Sequence, residues 1–275
     1  MTHLLSDHPL FTVDALLRVA HEAAKRTNDV YLDAGEVGVE DKWGRIAVPD
    51  WPIEEVIRRI EHAGAWVVMK HVETDPAYAD VLREWVQFMR ALAGNEAHLL
   101  TNPEMIVFIT SPRRVTPFHF DAEVNVLAQL HGRKTLWVCD SQDRSLLAET
   151  DIENYYGVSI TSGRYTPHAE AAATVFNLKP GDAVHIPVHS PHWVRNLDEV
   201  SVSLSLNFEL PRSKCADLYL ANYHMRRLGL APKPPGRSDL GDSMKAGTIQ
   251  AARCLKGLTG SLRLKRKPSL SAKRL

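Results

Sequence analysis

Between residues 105 and 208 the chain breaks into seven short apolar runs, at 105–109, 115–120, 124–130, 135–138, 174–178, 183–186 and 200–208. Most are too short for a buried helix but have the length of β-strands. A succession of them punctuated by glycine and proline predicts two packed sheets or a closed barrel. The last run is the most informative. Val202, Leu204, Leu206 and Phe208 alternate strictly with Ser201, Ser203, Ser205 and Asn207. Side chains on a strand point to opposite faces in turn, so one face is wholly apolar and the other is small and polar. We read it as a strand whose apolar face lies under a covering layer and whose polar face looks into a ligand-filled barrel; a strand with one solvated face is the alternative. His131-Gly132 separates two runs at hairpin spacing. Residues 140–168 show no clear period and are expected to form a long insertion over one barrel mouth.

The flanks read differently. Val13, Leu16, Leu17 and Ala20 recur at helical spacing behind Thr12, and Ile53, Val56, Ile57 and Ile60 do so behind Asp50. Asp75-Pro76 opens a third helix with Tyr78, Val81, Leu82, Trp85, Met89 and Leu92 on one face. The first hundred residues therefore read as helices with one strand, at 65–69. A helix is expected over about 214–228 and a basic amphipathic helix over 242–260. The chain thus divides into a helical part packed on the barrel (1–100), the barrel (101–211), a C-terminal helix (212–230) and a basic, partly disordered tail (231–275).

Charge follows the same division. Lys and Arg equal Asp and Glu in number, but residues 233–275 hold eleven basic and two acidic residues, a net of +9 that leaves −9 on the rest. The tail is either a solvated terminus or a contact for an anionic partner. Cys139, Cys215 and Cys254 are odd in number, far apart and in no paired motif, which points to a reducing compartment. With no secretory signal and no apolar run of membrane length, a cytoplasmic protein is expected. There is no Gly-rich phosphate loop, no Cys-x2-Cys pair and no Gly-x-Ser-x-Gly elbow.

The chemistry concentrates in Thr116-Pro-Phe-His119-Phe-Asp121. On a strand, His119 and Asp121 point the same way, and an imidazole and a carboxylate so placed can grip one metal. A later strand must supply a third ligand. Pro180-Gly181 turns into the strand at 183–186, Pro187 ends it, and the chain curls to deliver His192 inward. His185 in mid-strand and His189 in the loop compete for the role. Two histidines and one carboxylate on one face of an octahedron leave three positions open, the arrangement of non-haem iron(II) oxygenases.

At this point the chain resembles the cupin-like JmjC 2-oxoglutarate oxygenases, most closely the branch containing the asparaginyl hydroxylase of hypoxia-inducible factor. The pattern runs Thr116-x2-His119-x-Asp121-x3-Asn125-x8-Lys134, then Pro-Gly-Asp with Pro187-x4-His192, then His192-x14-Asn207, and covers about 112–210. The resemblance implies a mainly β fold with flanking helices: a double-stranded β-helix (cupin or jelly-roll, JmjC-like) core, a helical N-terminal part and C-terminal helices. It implies iron(II) at His119, Asp121 and His192, 2-oxoglutarate as co-substrate and O2. Lys134 would pair with the distal carboxylate of the oxo acid and Thr116 would donate to it; Asn125 and Asn207 would hydrogen-bond around the metal-bound end. Trp193, beside the third ligand, and Ser205 are further candidates for the pocket wall. A homodimer through the C-terminal helices is also implied.

Glu209 stands where the asparaginyl hydroxylase carries an aromatic residue, so the identity of the substrate does not carry over. An amino-acid side chain in a protein or peptide is the first expectation, and a small-molecule hydroxylase the second. Two other classes remain in view. A cupin isomerase or lyase would use the triad with another metal, without needing Lys134 and Thr116, and a non-catalytic scaffold would not need three ligands in register.

Overall fold

The computed structural model describes residues 1–42, 50–160, 163–212 and 215–258. Two antiparallel sheets face each other. The larger has the strand order β1 (Val30–Ala34), β2 (Ala65–Met69), β3 (Thr101–Thr110), β10 (Ser201–Glu209), β5 (Glu123–His131) and β8 (Ala183–Ile186). The smaller has the order β4 (Val115–His119), β9 (His192–Asn196), β6 (Lys134–Val138) and β7 (Thr174–Leu178). This is the expected cupin core with helical flanks.

Three helices cover the outer face of the larger sheet: α1 (Val13–Ala24), α2 (Ile53–Arg58) and α3 (Pro76–Ala93). The Thr12 hydroxyl caps α1, and the Asp75 carboxylate caps α3 ahead of Pro76 at its first position. The cap expected at Asp50 does not form: Pro52 stands at the start of α2 and makes no side-chain cap bond. Leu16, Val19, Val56, Tyr78 and Met89 pack with Val107, Val126, Leu204, Leu206 and Phe208 in one continuous core. The strict alternation of β10 thus sends its apolar face under the helices, at roughly 1.5–3 kcal/mol for each large side chain buried. Its serine face turns inward between the sheets and is buried throughout.

The strands and their connections depart from the sequence reading in three places. The first hundred residues supply two strands, since Val30–Ala34 pairs in unbroken register with Ala65–Met69. A strand outside the seven apolar runs, β9, opens at His192 and pairs with both β4 and β6. His131-Gly132 does not close a hairpin, because β5 and β6 belong to different sheets and the chain crosses between them there. Gly132 takes φ +69°, and a Cβ on it would lie 2.2 Å from the Val200 carbonyl oxygen, so the crossing requires glycine.

The region 140–168 folds around α4 (Glu149–Gly157) and the start of α5 (Pro167–Ala172). Its Leu147 and Ile152 pack with Phe120 and with Cys215 and Tyr219 at the C-terminal helix α6 (Ala216–Arg227). A final helix, α7 (Asp239–Leu258), packs on α6; the tail beyond it lies outside the described residues. No helix among the described residues is long and apolar enough to cross a membrane.

Candidate metal centre

His119 and His192 are register partners across the β4–β9 ladder. Strict alternation would put Thr116 and His119 on opposite faces, three residues apart. A register shift between them bends β4, and both side chains line the same cavity. Asp121 follows just beyond the end of the strand and returns to that side. Its Oδ2 lies 4.0 Å from His119 Nε2 and 3.7 Å from His192 Nε2. Both imidazoles are fixed from behind: His119 Nδ1 lies 2.7 Å from the Pro117 carbonyl and His192 Nδ1 2.9 Å from that of Ser190. Each Nδ1 therefore carries the proton and each Nε2 presents a lone pair to the shared space. Burial, reinforced by His192, holds the His119 imidazole well below its ordinary range, in the neutral form a metal needs. This donor set fits a divalent transition metal.

The two rival histidines are placed elsewhere. His185 is exposed on β8. His189 is buried, and its ring points at Tyr156 and Cys215 instead of the triad. Burial pulls it down to about 3, so it is neutral.

Beyond the triad the cavity, of about 300 Å³, is lined by Thr116, Asn125, Lys134 and Asn207 as well. Lys134 opens β6, opposite Asn196 and Leu178, and is 4% exposed. No acidic side chain pairs with it among the described residues. Burial alone pushes its ammonium down to about 7. A buried cation without a counter-charge is costly, and a carboxylate entering the cavity would offset that cost. Asn125 and Asn207 face each other across β5 and β10.

The two side chains expected at the pocket wall are not on it. Trp193 follows His192 on the strand and so points to the opposite face, where it stacks on Trp137 at 5.5 Å beside Phe118. Ser205 shares the inward face but lies behind the asparagines, its hydroxyl 2.8 Å from Asn125 Oδ1 and 2.7 Å from Asn207 Oδ1. Other residues take the wall. His71, given no role in the sequence, bridges Asp29 at 2.9 Å and Glu104 at 3.5 Å and lines the cavity. Tyr155 and Ile160 enter from the insertion, and the Tyr155 ring lies 5.0 Å from that of Phe120. Only the position of the insertion over the barrel hinted at these.

A protein-family model described as a cupin-like domain matches residues 51–214. Among solved structures, ycfD of Escherichia coli is 16% identical, with 91% of this chain aligned to 61% of that one at a TM-score of 0.52. YcfD, described as a ribosomal oxygenase, in complex with cobalt and 2-oxoglutarate is 15% identical over 90% of this chain and 60% of its own, at 0.49. The DMSP lyase DddQ of Ruegeria pomeroyi DSS-3 is 17% identical over 38% of each chain, at 0.26. The chain spans less than two thirds of the length of these proteins, and at 16% identity the likeness to ycfD is one of fold.

Proposed function

The chain belongs to the cupin-like domain family, and from that premise we propose that it is an iron(II)- and 2-oxoglutarate-dependent dioxygenase hydroxylating an unactivated C–H, of an amino-acid side chain in a protein or peptide. The observation that carries this reading is Lys134, a buried ammonium that has no acidic partner among the described residues and shares a cavity with His119, Asp121 and His192. An isomerase or lyase on this fold has no need of such a cation.

In this reading His119, Asp121 and His192 hold iron(II), Lys134 and Thr116 hold the far carboxylate of 2-oxoglutarate, and Asn125 and Asn207 hydrogen-bond at the metal end. Iron and 2-oxoglutarate, when held there, would supply the activation of O2, with succinate and carbon dioxide as co-products. The chain's own side chains position and exclude water. Leu127, Ile186 and Val194 give the cavity an apolar floor, while Tyr155 and Ile160 wall it from the insertion. No side chain needs to act as a general acid or base. The amino-acid substrate follows from the sequence resemblance to the asparaginyl hydroxylase branch.

The test is an anaerobic titration of 2-oxoglutarate into iron(II)-loaded protein, following the weak visible charge-transfer band of a chelated 2-oxo acid. A saturable band, lost in His192→Ala and weakened in Lys134→Ala, is the expected result. Bound metal without any band would overturn the reading in favour of another metal-dependent cupin activity.

A further inference from the structure

One turn behind the triad, buried at His189 and Ser190, touches two of its three ligands. We propose that His189 is a positioning residue that sets the orientation of Asp121 and His192, an inference that rests on the metal-centre reading above. The turn runs from Pro187 to Ser190, closed by a hydrogen bond from the Ser190 N–H to the Pro187 carbonyl at 3.0 Å. From it, the His189 N–H donates to the Asp121 carbonyl at 2.9 Å. One residue on, the Ser190 carbonyl receives the His192 Nδ1 proton at 2.9 Å. A shift of this turn therefore moves a carboxylate ligand and a histidine ligand together.

What fixes the turn is the His189 side chain. Its backbone sits at φ +61°, a left-handed conformation that a residue with a Cβ keeps only where its surroundings hold it there. They do so through the ring. His189 Nε2 lies 3.0 Å from the Tyr156 hydroxyl on α4 and 3.6 Å from Cys215 Sγ before α6. Tyr219 meets the ring edge-to-face at 5.3 Å, and Phe120, next to Asp121, at 5.9 Å. The insertion and the C-terminal helix thus clamp the imidazole, and the imidazole holds the turn. A histidine there only to fill the core would need neither the hydroxyl partner nor the left-handed backbone.

The experiment is an equilibrium titration of the metal-free full-length protein with cobalt(II), followed by its d–d absorption. Wild type, His189→Asn and Tyr156→Phe are compared, with the thermal midpoint of each metal-free form. Asparagine tolerates the left-handed backbone and removes the ring, whereas Tyr156→Phe removes only the hydroxyl. His189→Asn is expected to lose roughly 10–100-fold in cobalt affinity and to change the d–d band, as supports behind metal ligands generally do. Tyr156→Phe is expected to change both in the same direction by less, with a metal-free midpoint close to that of wild type. Wild-type affinity and spectrum in both variants would overturn the inference and leave the metal centre standing. If His189→Asn does not fold, an unchanged affinity and band in Tyr156→Phe overturns it alone. Failure of the wild type to bind cobalt removes the metal-centre reading and this inference with it.

Discussion

His119 and His192 stand opposite each other across the β4–β9 ladder with ring centroids 4.0 Å apart, so an ion held by both joins the edge strand of the smaller sheet to its neighbour. An ion that binds only the folded chain stabilises it by mass action, by about 2.7 kcal/mol at one hundred times its dissociation constant. For a chain of this size that corresponds to roughly 5–10 °C in the thermal midpoint. Manganese(II) or cobalt(II) should raise the midpoint by this order in wild type and leave that of His192→Ala unmoved. An equal rise in both would place the ion elsewhere.

Lys134 gives the apo-protein a pH dependence. Its folded value is about 7 against an ordinary 10.5, so between these limits the unfolded chain holds a proton that the folded chain has released. Stability therefore rises with pH from about 7 towards 10.5; below 7 both states are protonated and the full burial penalty is present. Urea midpoints of metal-free protein should climb across this window, and this part of the climb should vanish in Lys134→Met. The same variant should be the more stable one at pH 7 yet bind 2-oxoglutarate roughly 10–100-fold more weakly, the usual worth of a charge-assisted hydrogen bond. A flat pH profile in wild type would contradict the cause assigned to the shift.

Ser205→Ala removes a hydroxyl that ties Asn125 to Asn207. Because the site is buried, the amides lose a partner that water cannot readily replace, at about 1–3 kcal/mol. A lower urea midpoint together with weaker 2-oxoglutarate binding is expected. Loss of stability with unchanged co-substrate binding would confine Ser205 to the core.

Gly132→Ala should be severe for a chain crossing so tightly packed. The new Cβ would meet the backbone of Val200, which has no flexible end to move aside, at a positive φ that alanine disfavours. Soluble expression should fall sharply, and any folded fraction should melt well below wild type; a wild-type melt would show that the β5–β6 crossing can relax.

Much of this was legible in advance because apolar pattern and strand period coincide. β2, β3, β5, β8 and β10 bury apolar side chains in runs that need no tertiary knowledge to see. The strands that escaped are short ones in which buried polar groups break up the apolar run. In β1, Asp33 interrupts the run and is buried against Arg114 from the start of the smaller sheet. In β9, His192 and Asn196 occupy inward positions, leaving only Trp193 and Val194 as apolar signal. The third candidate ligand was thus legible by spacing while its strand was hidden by that same residue. The crossing at Gly132 was unreadable for another reason: a tight turn within one sheet and a step between two look alike in sequence. The bulge that swings Thr116 and His119 to one side leaves no mark in composition either.

Trp193 shares its backbone with a candidate ligand yet turns its indole to the far side of the sheet, flat against Trp137 at an interplanar angle of 6°. Two stacked indoles at this separation absorb as a coupled pair. The smaller sheet therefore carries a coupled indole pair one peptide unit from the candidate triad, and the circular dichroism of that pair is expected to report loading on the other side of β9, without label or turnover.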